Sequence, residues 1–171
     1  LLGIVREQII AYHFGDTAAP SAFVAATTVP TMVYDLLIGG AISAALVPVF
    51  SEYAARGQGD DLRRAAGTLM AVVGLVLTAA ALVLAAAAPT LVGLLVPGLD
   101  PAVQQQTIGL TQLALPSVVF LGLSGVAAAL LNSRQVFTYP AFSGSVYNIG
   151  IIIAAALFSL SLGITSLVVG V

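Results

Sequence analysis

Three stretches of this chain contain no Asp, Glu, Lys or Arg: Ala65 to Leu99, Pro101 to Ser133 and Gln135 to Val171. Each exceeds the about 20 apolar residues that a helix needs to cross the hydrocarbon core of a bilayer. Lipid offers no partner to backbone N–H and C=O groups, so a crossing segment must bond them internally, as helices or closed barrels do. A barrel strand needs only about ten residues of alternating polarity. These runs are far longer and lack a period of two. They are also rich in alanine, the best helix former. The expected fold class is therefore all-α, a polytopic transmembrane helical bundle. Composition agrees: of 171 residues, 60% are hydrophobic and 7% charged, where a soluble domain carries about 25% charged residues.

Punctuation places five spans and the start of a sixth, at about 1–14, 21–50, 65–96, 102–131, 137–160 and 163–171. The turns between them read Gly15-Asp16-Thr17, a long polar loop from Ser51 to Arg64, Pro97-Gly98-Leu99-Asp100-Pro101, and Asn132-Ser133-Arg134-Gln135. With one crossing per span, loops 51–64 and 132–136 share a side. They hold Arg56, Arg63, Arg64 and Arg134, whereas the opposite turns hold Asp16 and Asp100 and no basic residue. Basic residues concentrate in cytoplasmic loops, so these two loops are expected to be cytoplasmic. The chain begins without Met inside one apolar stretch and finishes inside another, and is expected to be a fragment of a longer protein.

Small residues recur within the spans: Gly39-Gly40-Ala41, Gly67 with Ala71 and Gly74, Gly122 with Gly125, and Ser143-Gly144-Ser145. They permit close helix approach. The Gly-Gly pair shares its span with Pro30 and Pro48, which predicts a bent helix of the kind that lines transporter cavities.

No catalytic constellation is legible: no phosphate-binding glycine loop, nucleophile elbow or nucleotide fingerprint. No enzyme activity and no cofactor are expected. The absence of cysteine excludes disulfides and thiolate metal sites, a single histidine, His13, makes no zinc site, and the lack of a basic tract argues against nucleic acid as a partner. The informative residues are the ionisable ones within spans. Arg6 and Glu7 fall in the first, Asp35 in the second, and charges at membrane depth usually face a bundle interior or a watery cavity. Arg6 has several readings: a site for an anionic headgroup, a structural pair with Asp35 or Glu7, or a position near the cytoplasmic interface. Glu7 follows Arg6 directly and points about 100° away on a helix, so it is not the best-placed partner for Arg6. Gln104, Gln105, Gln106, Gln112, Asn132 and Asn148 are candidates for a cavity lining or for interhelical hydrogen bonds, with Asn148 the deepest.

The segment LGIVREQIIAYHFG resembles the first-helix signature of the MurJ/MviN family of lipid-linked precursor flippases. The stretch from Ser21 to Tyr53, ending VPVFSEY, resembles its next signature, and NSRQVFTYPAFSGSVYNIGIII resembles the opening of its fifth helix. The similarity covers nearly the whole chain in the same order. It implies membership of the multidrug/oligosaccharidyl-lipid/polysaccharide exporter superfamily, with two lobes around a central cavity in the bacterial cytoplasmic membrane. It also implies alternating-access flipping of lipid II, an undecaprenyl-linked peptidoglycan precursor. This chain would be most of the N-terminal lobe, and its partners the lipid-linked glycan, the bilayer and a C-terminal lobe. Arg6 matches the family arginine implicated in contacting the substrate pyrophosphate, a role suited to a bidentate, permanently charged guanidinium. Four positions depart: Ser21 replaces an aspartate, Tyr34-Asp35 an arginine pair, and Gly39 a glutamate. The acid at Asp35 keeps open export of another polyprenyl-linked glycan or of small cationic molecules, or a scaffold that no longer transports.

Overall fold

The computed structural model describes residues 2–15, 18–35, 43–57, 59–98 and 100–170, and every element among them is a helix. The elements are α1 (Leu2–Phe14), α2 (Ala18–Tyr34), α3 (Ser43–Ala55), α4 (Gly59–Leu95), α5 (Pro101–Ala114), α6 (Ser117–Ser133), α7 (Thr138–Leu162) and α8 (Thr165–Val169).

The helix ends follow local chemistry. Asp100 caps α5 by accepting a hydrogen bond from the Ala102 amide at 2.9 Å, with Pro101 in the first turn. Asp60 and Asp61 occupy the first turn of α4, where carboxylates favour the positive end of the helix dipole. The chain leaves α6 through bonds from Val136 N to Leu131 O and from Gln135 N to Asn132 O. Gln135 adopts a positive φ of 59° there, the left-handed closure usually given to glycine. α7 stops at Gly163, also at positive φ.

One expected span and one expected loop differ from the observed helices. The single span at 102–131 is two helices, because Pro116 has no N–H for the carbonyl one turn back and its ring crowds that carbonyl. The Ser117 hydroxyl donates to Ala114 O at the break, at 2.7 Å. The polar stretch 51–64 is mostly helical: α3 runs on to Ala55 and α4 starts at Gly59, so among the described residues only Arg56 and Gly57 lie between these helices. Arg63 and Arg64 ride the second turn of α4. The Gly39-Gly40-Ala41 group, Asp16 and the bend expected between Pro30 and Pro48 lie outside the described residues.

Packing forms three apolar clusters. The largest joins α1, α2, α5, α7 and α8 through Ile10, Phe23, Leu110, Ile151 and Leu167. A second joins α4 to the α5–α6 junction through Leu77, Ala81, Leu115 and Val118. The third joins α3, α4 and α6 through Phe50, Leu62 and Val126. Outside these clusters, large apolar side chains point away from the protein, among them Leu75 at 73% exposure, Leu94 at 74% and Phe120 at 73%. Gly59–Leu95 and Pro101–Ser133 are each long and apolar enough to cross a membrane. At 1.5 Å per residue, the 37 residues of α4 reach beyond the about 30 Å hydrocarbon core, which leaves its charged first turns outside. Such a surface suits lipid as solvent, and the fold is a helical transmembrane bundle.

Candidate functional site

A cavity of about 360 Å3 opens where α1, α2, α6 and α7 meet. Its lining residues are Arg6, Thr31, Asp35, Leu121, Ser124, Gly144, Tyr147 and Asn148. Helical spacing explains the convergence: Thr31 and Asp35 are four apart, Leu121 and Ser124 three apart, and Gly144, Tyr147 and Asn148 lie at i, i+3 and i+4, so each set shares one helix face. The three residues singled out in the sequence, Arg6, Asp35 and Asn148, thus line one space. A neighbouring hollow of about 430 Å3 shares Arg6, Thr31 and Tyr147 and adds Glu7, Ile10, Phe23, Val24 and Thr27. Arg6 stands between the two.

Asn148 lies ten residues into α7, about 15 Å from its Thr138 end. Ser124 lies nine residues from the Ser133 end of α6, about 14 Å by the same rise. Measured along α6 and α7, the cavity therefore lies well away from the Arg134 turn.

The polar groups here are only partly satisfied. Arg6 Nη2 donates to Glu7 Oε1 at 2.6 Å, with side-chain exposures of 27% and 65%. This corrects the expectation that Glu7 is a poor partner. Adjacent residues do diverge around a helix, but an arginine has enough rotatable bonds to fold back onto its neighbour. No ion pair joins Arg6 to Asp35; among the described residues the pairs are Arg6–Glu7 and Arg56–Glu52. Asn148 Nδ2 donates to Gly144 O at 2.7 Å. Two buried side-chain atoms among the described residues have no hydrogen-bond partner, Arg6 Nε and Asn148 Oδ1, and both belong to this cavity.

The other polar candidates lie elsewhere. Gln112 donates to Ala85 O at 3.0 Å and ties α5 to α4. Gln104 rests against Gly93 on α4, and Gln105 and Gln106 are exposed. Asn132 lines a hollow with Ser51, Ala55 and Arg134, which puts the α3–α4 and α6–α7 turns at one end of the bundle. His13 is exposed, and its Nδ1 lies 3.1 Å from Ile9 O. Gly39 lies outside the described residues, as do the side chains of Ser21 and Tyr34. Sequence reasoning missed Thr31, Ser124 and Tyr147. The signal available was spacing: Thr27, Thr31 and Asp35 recur every fourth residue, a polar stripe on one face of α2. The hydroxyls of Thr27 and Thr31 bond back to Phe23 O and Thr27 O at 3.0 and 2.8 Å, which makes the stripe tolerable in an apolar setting.

The sequence profile described as MurJ, lipid II flippase MurJ, matches residues 10–171. The chain belongs to the MurJ family. Lipid II flippase MurJ of Burkholderia cenocepacia is 28% identical over 155 residues, covering 90% of this chain and 30% of that protein. Probable lipid II flippase MurJ of Haemophilus influenzae is 32% identical over 167 residues, covering 92% of this chain and 32% of that protein. A solved structure of lipid II flippase MurJ in an inward closed conformation superposes with a TM-score of 0.82 at 25% identity, over 99% of this chain and 36% of that one. The chain spans about a third of the length of these MurJ relatives. Arg6 precedes the segment matched by the MurJ profile but falls within the span of the structural match.

Proposed function

We propose that this chain is the N-terminal lobe of a transporter that flips lipid II from the cytoplasmic to the outer leaflet by alternating access, with Arg6 holding the substrate diphosphate. The observation that carries this is the Arg6 guanidinium. It lines the cavity between α1, α2, α6 and α7, and its buried Nε–H has no partner. Glu7 engages Nη2 alone, leaving the other N–H groups of the fork for an anion. A diphosphate supplies acceptor oxygens in the geometry a guanidinium prefers. In this reading a second lobe, encoded elsewhere in the full protein, completes the chamber. The end carrying Arg56, Arg63, Arg64 and Arg134 faces the cytoplasm of a bacterium. Membrane potential or an ion gradient drives the cycle.

Asp35 supports a second reading, a cationic cargo. It lines the same cavity, is exposed and has no ion pair among the described residues. Complementation separates the two. Full-length protein should rescue cells depleted of their lipid II flippase, Arg6→Ala should not, and Asp35→Asn should. Equal rescue by Arg6→Ala would remove the anion site. Failure of the wild type to rescue would remove lipid II as cargo and leave the cationic reading.

A further inference from the structure

The two unsatisfied atoms of the cavity are of opposite kind. Arg6 Nε is a donor that lacks an acceptor, and Asn148 Oδ1 is an acceptor that lacks a donor. The orientation of the amide is set by its other end, since Nδ2 is held by Gly144 O one turn back on α7 at 2.7 Å. Oδ1 therefore faces α1, about one van der Waals contact, 4.0 Å, from where a side chain on Gly3 would begin. Leaving a buried polar atom unpaired costs about 1–3 kcal/mol. A site that pays this twice, with complementary signs, matches a ligand that presents both an acceptor and a donor.

A diphosphate answers only half of that demand. Ionised phosphate oxygens accept hydrogen bonds and donate none, so they satisfy Arg6 and would repel Asn148 Oδ1. The missing donor must come from the group joined to the diphosphate. On a lipid-linked glycan that group is a sugar, which offers hydroxyl O–H and, on an amino sugar, acetamido N–H. We infer that Asn148 is a specificity-determining residue: its Oδ1 accepts a hydrogen bond from an N–H or O–H of the sugar next to the diphosphate that Arg6 holds. The inference rests on the reading of Arg6 above. It adds that the chamber distinguishes a glycosylated carrier from the bare diphosphate lipid that remains once the glycan has been removed. Such discrimination arises because a buried acceptor rejects a ligand that leaves it unpaired more strongly than it rewards one that fits.

Equilibrium binding to purified full-length protein in detergent tests this with three probes: undecaprenyl diphosphate, the same lipid carrying N-acetylglucosamine, and the same lipid carrying glucose. Asn148→Leu should weaken the amino-sugar lipid by about tenfold, the worth of one good hydrogen bond, and leave undecaprenyl diphosphate bound at least as tightly. Retention of the loss with the glucose lipid assigns the donor to a hydroxyl, and its disappearance assigns it to the acetamido N–H. Binding of bare diphosphate reports that the variant is folded; Asn148→Ala carries the same expectation should the leucine variant not fold. Arg6→Ala should weaken all three probes. If it weakens all three while Asn148→Leu weakens none, or weakens all equally, the role given to Asn148 is wrong and that of Arg6 stands. If Arg6→Ala changes nothing, both fail.

Discussion

The approach of α8 to α7 is a contact between backbones, which makes it sensitive to a single methyl group. α8 returns against α7 so closely that a Cβ on Gly170 would lie 2.6 Å from Ile151 Cα, 2.8 Å from Gly150 O and 2.9 Å from Ala154 Cβ. Two of these three neighbours are main-chain atoms and cannot rotate aside. Ordinary van der Waals contact needs about 1 Å more, so Gly170→Ala must push α8 off α7. Leu167 and Val168, at 0% and 4% exposure, would then leave the cluster they share with Ile10, Ile151 and Ala155. Forced overpacking costs about 1–3 kcal/mol, and the rigid backbone places this site at the upper end, near 3 kcal/mol by that scale. Thermal unfolding of the full-length protein in detergent should show a fall of roughly 3 °C. The control is Gly67→Ala on α4, where a Cβ would meet nothing within 4 Å. Removing a mid-helix glycine there should stabilise by about 0.5–1 kcal/mol. Opposite signs at the two glycines are the expected result. If Gly170→Ala is as harmless as Gly67→Ala, the close α7–α8 approach is not a feature of the folded protein.

Two further outcomes follow from other sites. Gln135 holds a left-handed backbone at φ 59°, so Gln135→Gly should raise stability by about 1 kcal/mol, read as an upward shift in the same melting assay; a fall would mean that its side chain contributes more than the backbone strain costs. Glu7→Gln removes the carboxylate 2.6 Å from Arg6 at an exposed pair worth about 0.2–1 kcal/mol. It should tighten undecaprenyl diphosphate binding by up to about fivefold by freeing the guanidinium, whereas weaker binding would show that Glu7 orients Arg6 more than it competes for it.

Much of this protein was legible in its sequence because the deciding physics is local. A tract without charge, too long for a strand and rich in alanine, has no stable form in lipid other than a helix. The arginine asymmetry could be read without coordinates, as could the anomaly of Arg6 and Asp35 inside apolar segments. Other features depended on tertiary structure. That Arg6 pairs with its neighbour Glu7 and not with Asp35 is a matter of side-chain reach, which residue spacing does not report. The proline at 116 was visible, but not that it divides the stretch into two helices, since proline also occurs in kinked continuous helices. The cavity itself was not readable: Thr31, Ser124 and Tyr147 become neighbours of Arg6 only because α1, α2, α6 and α7 converge, and the unpaired Arg6 donor and Asn148 acceptor arise only in that packing. Local sequence dictates which segments can be helices. Which of their faces meet is decided by contacts between residues more than a hundred positions apart, and the binding chemistry resides in those contacts.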